Sequence, residues 1–82
     1  MPTRSLDRKR QDPRRETLRR LGAAVKARRR ERGITQEVLA DLLGLSVSYV
    51  SLIERGGRNP PFTTVVDIAR ALGVTLRELL DD

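Results

Sequence analysis

Ile34-Thr35-Gln36-Glu37-Val38-Leu39-Ala40-Asp41-Leu42-Leu43-Gly44-Leu45-Ser46-Val47-Ser48-Tyr49-Val50-Ser51-Leu52-Ile53-Glu54-Arg55-Gly56 decides the fold of this chain. It holds two short amphipathic stretches separated by Gly44. Each is opened by a hydroxyl residue, Thr35 or Ser46, whose side-chain oxygen can accept a bond from an unsatisfied N–H of a helical first turn. Glu37 places a carboxylate at the positive end of the first stretch. Leu39, Ala40 and Leu43 in one stretch, and Val50 and Ile53 in the other, recur at helical spacing and read as inward-facing. The pattern is a helix, a tight turn and a second helix over about residues 35–55.

Working outward, a longer helix is expected from about Glu16 to Arg32. Leu18, Leu21 and Val25 lie on one side of it, with Ala24 beside them, and Gly33 is its stop. After Gly56, the run Gly57-Arg58-Asn59-Pro60-Pro61 permits only a loop. A fourth helix covers Phe62 to about Leu72, with Phe62, Val65, Ile68, Ala69 and Leu72 expected inward and Gly73 ending it. Thr75-Leu76-Arg77-Glu78 is a capping box that opens a fifth helix. The expectation is an all-α domain of five helices over residues 17–82. Residues 1–16 hold two prolines, many charges and little apolar surface, and read as a flexible basic arm. Because proline is tolerated in a first helical turn, Arg14 and Arg15 could join the first helix.

Composition narrows the function. With 82 residues there is room for one core, and aromatics are limited to Tyr49 and Phe62, so Leu, Val, Ile and Ala must fill it. The chain has no Cys and no His. Disulfides, thiolate metal sites and the commonest general base are therefore excluded. The carboxylates sit where caps and surface charges belong, so no nucleophile–base pair is visible and an enzyme is not expected. No cofactor, metal or small-molecule effector is expected either. No apolar run approaches the roughly 20 residues of a membrane span, and no signal-peptide core is present. The reading is a soluble, cytoplasmic protein with no membrane partner.

Charge is distributed unevenly. Residues 1–32 carry 13 Lys/Arg against 4 Asp/Glu, whereas residues 33–82 carry 4 against 7. A basic end on a mildly acidic body suits a polyanionic partner better than an even basic bias would.

Taken together, Arg29, Gly33-Ile34-Thr35-Gln36, Leu39-Ala40, Gly44-Leu45-Ser46, Val50-Ser51, Ile53-Glu54-Arg55-Gly56, Asn59-Pro60 and Ile68-Ala69-Arg70-Ala71-Leu72-Gly73-Val74 are a specific combination. On these residues the chain resembles the Cro/phage-repressor (XRE-like) helix-turn-helix family of bacterial and phage regulators, from about Leu21 to Leu80. The resemblance implies that the second and third helices form a DNA-binding pair, with the third in the major groove and Gln36 on a phosphate at the amide end of the second. It also implies an ion pair between Arg29 and Glu54. Pro60-Pro61 departs from the Ser or Thr that many relatives place before the fourth helix; a proline can open a helix, so the fold survives.

With Val50 and Ile53 inward, Val47, Ser48, Ser51, Leu52 and Arg55 form the opposite face of the third helix, with Tyr49 on its flank. That face has no Asn or Gln for adenine, so serine hydroxyls and apolar contact with thymine methyls would carry modest direct readout. Ser46 at the cap, and Arg55, Arg58, Asn59 and Tyr49, are the expected companions, chiefly on the backbone. One such helix reads few base pairs, so a homodimer is expected. Val74, Leu76, Leu79 and Leu80 are the candidate contact. The reading is thus a sequence-specific regulator of transcription on double-stranded DNA, a repressor or autoregulator. The alternatives are a protein-interaction module, an antitoxin or a restriction–modification controller on the same fold.

Overall fold

Pro13 lacks the N–H that a helix leaves unsatisfied in its first turn, and its ring presets the helical φ, so it opens a helix at no cost. In the computed structural model, which describes residues 13–80, it does so. The elements are α1 (Pro13–Arg32), α2 (Gln36–Leu43), α3 (Val47–Glu54), α4 (Phe62–Leu72) and α5 (Leu76–Leu80), with no strand among the described residues. The first helix therefore begins a turn earlier than Glu16, and residues 13–16 belong to it rather than to the arm. The Thr17 hydroxyl donates to the Pro13 carbonyl at 2.9 Å. Glu16 pairs with Arg19 and Arg20, three and four positions on and so one turn away, and the Arg19 guanidinium holds its carboxyl below the usual range. Residues 1–12, where the rest of the expected arm falls, lie outside the described residues.

The core is aliphatic, as the scarcity of aromatics requires. Leu21 and Val25 of α1, Leu39 and Ala40 of α2, Val50 and Ile53 of α3, Val65, Ile68, Ala69 and Leu72 of α4, and Leu79 of α5 form one buried cluster. α1 is the spine: it packs on α3, α5 and α4, while α2 packs on α3 and α4. Phe62 is the exception to the expected inward stripe, at 66% exposure. It is the first residue of α4, where the core ends, and Pro60 rather than Phe62 is the residue buried at that end.

Local chemistry sets the boundaries. Gly44 adopts the left-handed conformation at φ 69°, and its N–H and that of Leu45 return to the last carbonyls of α2. This closes α2 abruptly, and α3 starts three residues later, after its cap Ser46. Among the later elements, α4 follows Pro61 with no side-chain cap. α5 has the reciprocal capping box: the Thr75 N–H donates to Glu78 Oε1 at 2.8 Å and the Glu78 N–H to Thr75 Oγ1 at 3.1 Å.

That box makes α5 acid-sensitive. The Thr75 amide, followed by the Thr75 hydroxyl and the Arg28 charge, holds the Glu78 carboxyl below its ordinary range. With the folded value below the unfolded one, this stabilisation is complete above the unfolded value and is lost as pH falls through the folded one. Glu78→Ala is expected to lower Tm at neutral pH and to converge on the parent protein in acid. A Tm difference that stays constant well below the carboxylate range would contradict the assignment.

Candidate nucleic-acid interface

α2 and α3 are turned by 111° about the break at Gly44. This lies within the range of about 90–120° that a helix-turn-helix uses. Both helices are capped at their N-termini: Thr35 Oγ1 accepts from the Val38 N–H, and Ser46 Oγ from the Tyr49 N–H, each at 3.1 Å. α3 buries Val50, Ile53 and Glu54. Its other side carries Val47, Ser48 and Arg55 exposed, and Ser51 and Leu52 half-buried.

The turn angle is locked by a polar network. Arg29 Nε donates to Glu54 Oε2 at 2.7 Å and Arg29 Nη2 to Glu54 Oε1 at 3.1 Å, a two-pronged pair linking α1 to the end of α3. Arg29 Nη1 donates to the Ile34 carbonyl at 2.9 Å, which ties in the link before α2. Gln36, the first residue of α2, donates from Nε2 to Glu54 Oε1 at 2.9 Å. Arg29 and Glu54 are 8% and 7% exposed, so both charges have been taken out of water and depend on each other. The bond to Glu54 raises the Arg29 guanidinium above its already high value, against the opposing effect of burial.

A second device brings α3 against α1. Gly22 lies in mid-α1, where the carbonyls of Ile53 and Glu54 approach. A methyl group on Gly22 would fall 2.6 Å from the Glu54 carbonyl oxygen and closer still to that of Ile53. α1 therefore has glycine at the crossing point, at the expense of helix propensity. Neither the role of Gly22 nor the Gln36–Glu54 bond is legible in the spacing of the residues. A glycine inside an otherwise regular helical pattern was the one signal for the first.

These contacts leave an open concavity of about 350 Å³, lined by Gln36, Val47, Ser48, Ser51, Leu52 and Arg55. Six of the residues expected to meet DNA are thus brought to one surface. Ser46 is exposed at the cap of α3, and Arg58 and Asn59 are exposed on the loop beyond it. Tyr49 is half-buried and packs on the core, consistent with its place on the flank. The four residues expected at a two-fold contact do not behave as a set. Leu79 is in the core at 1% exposure, which removes it as a contact for a second copy. Val74 and Leu76 are half-buried against the same core, and Leu80 is 56% exposed. The reason is geometric: Leu80 lies about 100° around the helix from Leu79, and of the two it is Leu79 that is directed at the core.

A helix-turn-helix family model, HTH_3, matches residues 25–79. The chain belongs to this helix-turn-helix family. Across 52 residues it is 48% identical to the uncharacterized HTH-type transcriptional regulator y4dJ of Sinorhizobium fredii, covering 63% of this chain and 68% of that protein. The immunity repressor of Bacillus phage phi105 is 39% identical over 62 residues, which are 76% of this chain and 43% of the repressor. The crystal structure of the restriction-modification controller C.AhdI from Aeromonas hydrophila superposes with a TM-score of 0.73 at 40% identity, covering 76% of this chain and 94% of that one. The five-helix architecture, with α2 and α3 as the motif, is thus a helix-turn-helix regulator fold. Among the described residues, no single helix is long and apolar enough to cross a membrane.

Proposed function

We propose that this protein is a cytoplasmic transcriptional regulator that binds double-stranded DNA as a homodimer, with α3 in the major groove, and acts as a repressor or autoregulator. The observation that carries this reading is the buried Arg29–Glu54–Gln36 network. It fixes α3 at a set angle to α2 while keeping the face Val47, Ser48, Ser51, Leu52 and Arg55 outward. A helix held rigidly by one side and exposed on the other can enter a groove about 12 Å wide without rearranging. The amide end of α2, beside Gln36, suits a phosphate, because first-turn N–H groups and the helix dipole favour anions. Arg55, Arg58 and Asn59 flank the same surface. The basic segment before residue 13 supplies further phosphate contacts.

Relatives that are named as transcriptional regulators, a phage repressor and a restriction-modification controller support regulation over catalysis. Leu80, exposed on the short terminal helix, is the best-placed residue for a second copy, with Val74 and Leu76 at its margin. The test is selection of bound sites from random duplex DNA, followed by a salt titration on the recovered site. The expected site has two half-sites about 34 Å apart on one face of the duplex. Affinity should fall with salt at a log–log slope of about 0.9 per phosphate neutralised. Recovery of a lone half-site would contradict the dimer, and failure to enrich any duplex would contradict the DNA reading in favour of a protein-interaction module.

A further inference from the structure

Resting on that reading of α3, we propose that the concavity between α2 and α3 reads the C5-methyl group of a pyrimidine. On this account thymine and 5-methylcytosine are equivalent ligands there, and binding responds to cytosine methylation at that position. The surface lacks the side chains that read purines in pairs of bonds. Bidentate recognition of guanine uses Arg or Lys, and that of adenine uses Asn or Gln. Between Gly33 and Gly57 the only basic residue is Arg55, at the C-terminal end of α3, and the only amide side chain is that of Gln36. The Gln36 amide nitrogen is turned toward Glu54, to which it donates at 2.9 Å. The first two turns of α3 therefore present no group suited to bidentate readout of a purine edge.

What the surface has is apolar and hydroxylic. Val47, 38% exposed at the first position of α3, and Leu52 line the concavity with Ser48 and Ser51. At positions i, i+1, i+4 and i+5 these four share one side of the helix. Val47 and Leu52 offer carbon to a methyl group, the one apolar substituent on a major-groove base edge. The serines add tolerance of the neighbouring substituent. In thymine the group beside the methyl carbon is the O4 acceptor, and in cytosine it is the N4 donor. A serine hydroxyl rotates to donate to the one or accept from the other. The surface thus rewards the methyl and is indifferent to the group beside it.

The experiment uses the full chain and the duplex recovered by selection from random DNA. Each thymine of a half-site is replaced in turn by deoxyuracil, which removes the methyl alone. Each T·A pair is also replaced by 5-methylcytosine·G and by C·G. At one or two positions per half-site the deoxyuracil duplex is expected to bind about fourfold more weakly, the worth of one buried methyl group. At those positions 5-methylcytosine·G should retain the affinity that C·G loses. Val47→Ala or Leu52→Ala, shown to be folded by its thermal melt, should bind the thymine and deoxyuracil duplexes alike.

Three results would overturn the proposal while leaving DNA binding intact: deoxyuracil without effect at every position, 5-methylcytosine·G as weak as C·G, or full discrimination retained in both variants. Failure to select any duplex would instead remove the reading on which it rests, and the proposal with it.

Discussion

Arg29→Ala is expected to lower the stability of the fold by about 3–5 kcal/mol, the cost of leaving one partner of a buried ion pair alone. Glu54 is 7% exposed, and after the substitution its carboxylate would keep only the Gln36 amide as a partner. Water has little access to replace a guanidinium that bonded both carboxylate oxygens and the Ile34 carbonyl. In a domain of this size the loss corresponds to a fall in Tm of at least about 12 °C. Arg30→Ala is the control, because Arg30 is exposed on the same helix. Its effect should stay within about 0.5 kcal/mol. Thermal melts of the two variants decide the matter: equal, small shifts would mean that the pair holds nothing together.

Gly22→Ala is the second large effect, and its sign is the informative part. Replacing a mid-helix glycine by alanine ordinarily stabilises a helix by about 0.5–1 kcal/mol. Here the added methyl would meet the backbone carbonyls of Ile53 and Glu54, which cannot rotate away as a side chain would. α3 must retreat from α1, and the Arg29–Glu54 pair lies beside the same crossing. A loss of about 3 kcal/mol or more is expected, at the upper end of overpacking costs. Denaturant unfolding measures it. A variant as stable as the parent would show that α3 is not seated on α1 as described.

These two residues also mark where sequence reading succeeds and where it stops. The caps at Thr35 and Ser46, the left-handed Gly44 and the Thr75–Glu78 box were legible because each is chemistry within three or four residues. The outward face of α3 followed from the period of Val50 and Ile53. The Arg29–Glu54 pair spans 25 positions and entered only through family resemblance. Nothing in the spacing of Gln36 foretells that it joins them, because that depends on the 111° turn. Phe62 misled because a helical stripe says which side faces inward and not where the core ends. Leu79 and Leu80 read as one apolar surface by residue type alone, yet neighbouring residues on a helix point about 100° apart.

The central claim is that α3, locked on one side by the Arg29–Glu54–Gln36 network, offers its other side to DNA. It is tested most directly by following backbone amide resonances while the selected duplex is added. The largest shifts are expected to cluster at Gln36, Ser46 to Ser48, Ser51, Leu52 and Arg55. Leu42 and Ala71, on the surface shared by α2 and α4, should stay near their free positions. Shifts concentrated around Leu42 and Ala71, with α3 unmoved, would contradict it.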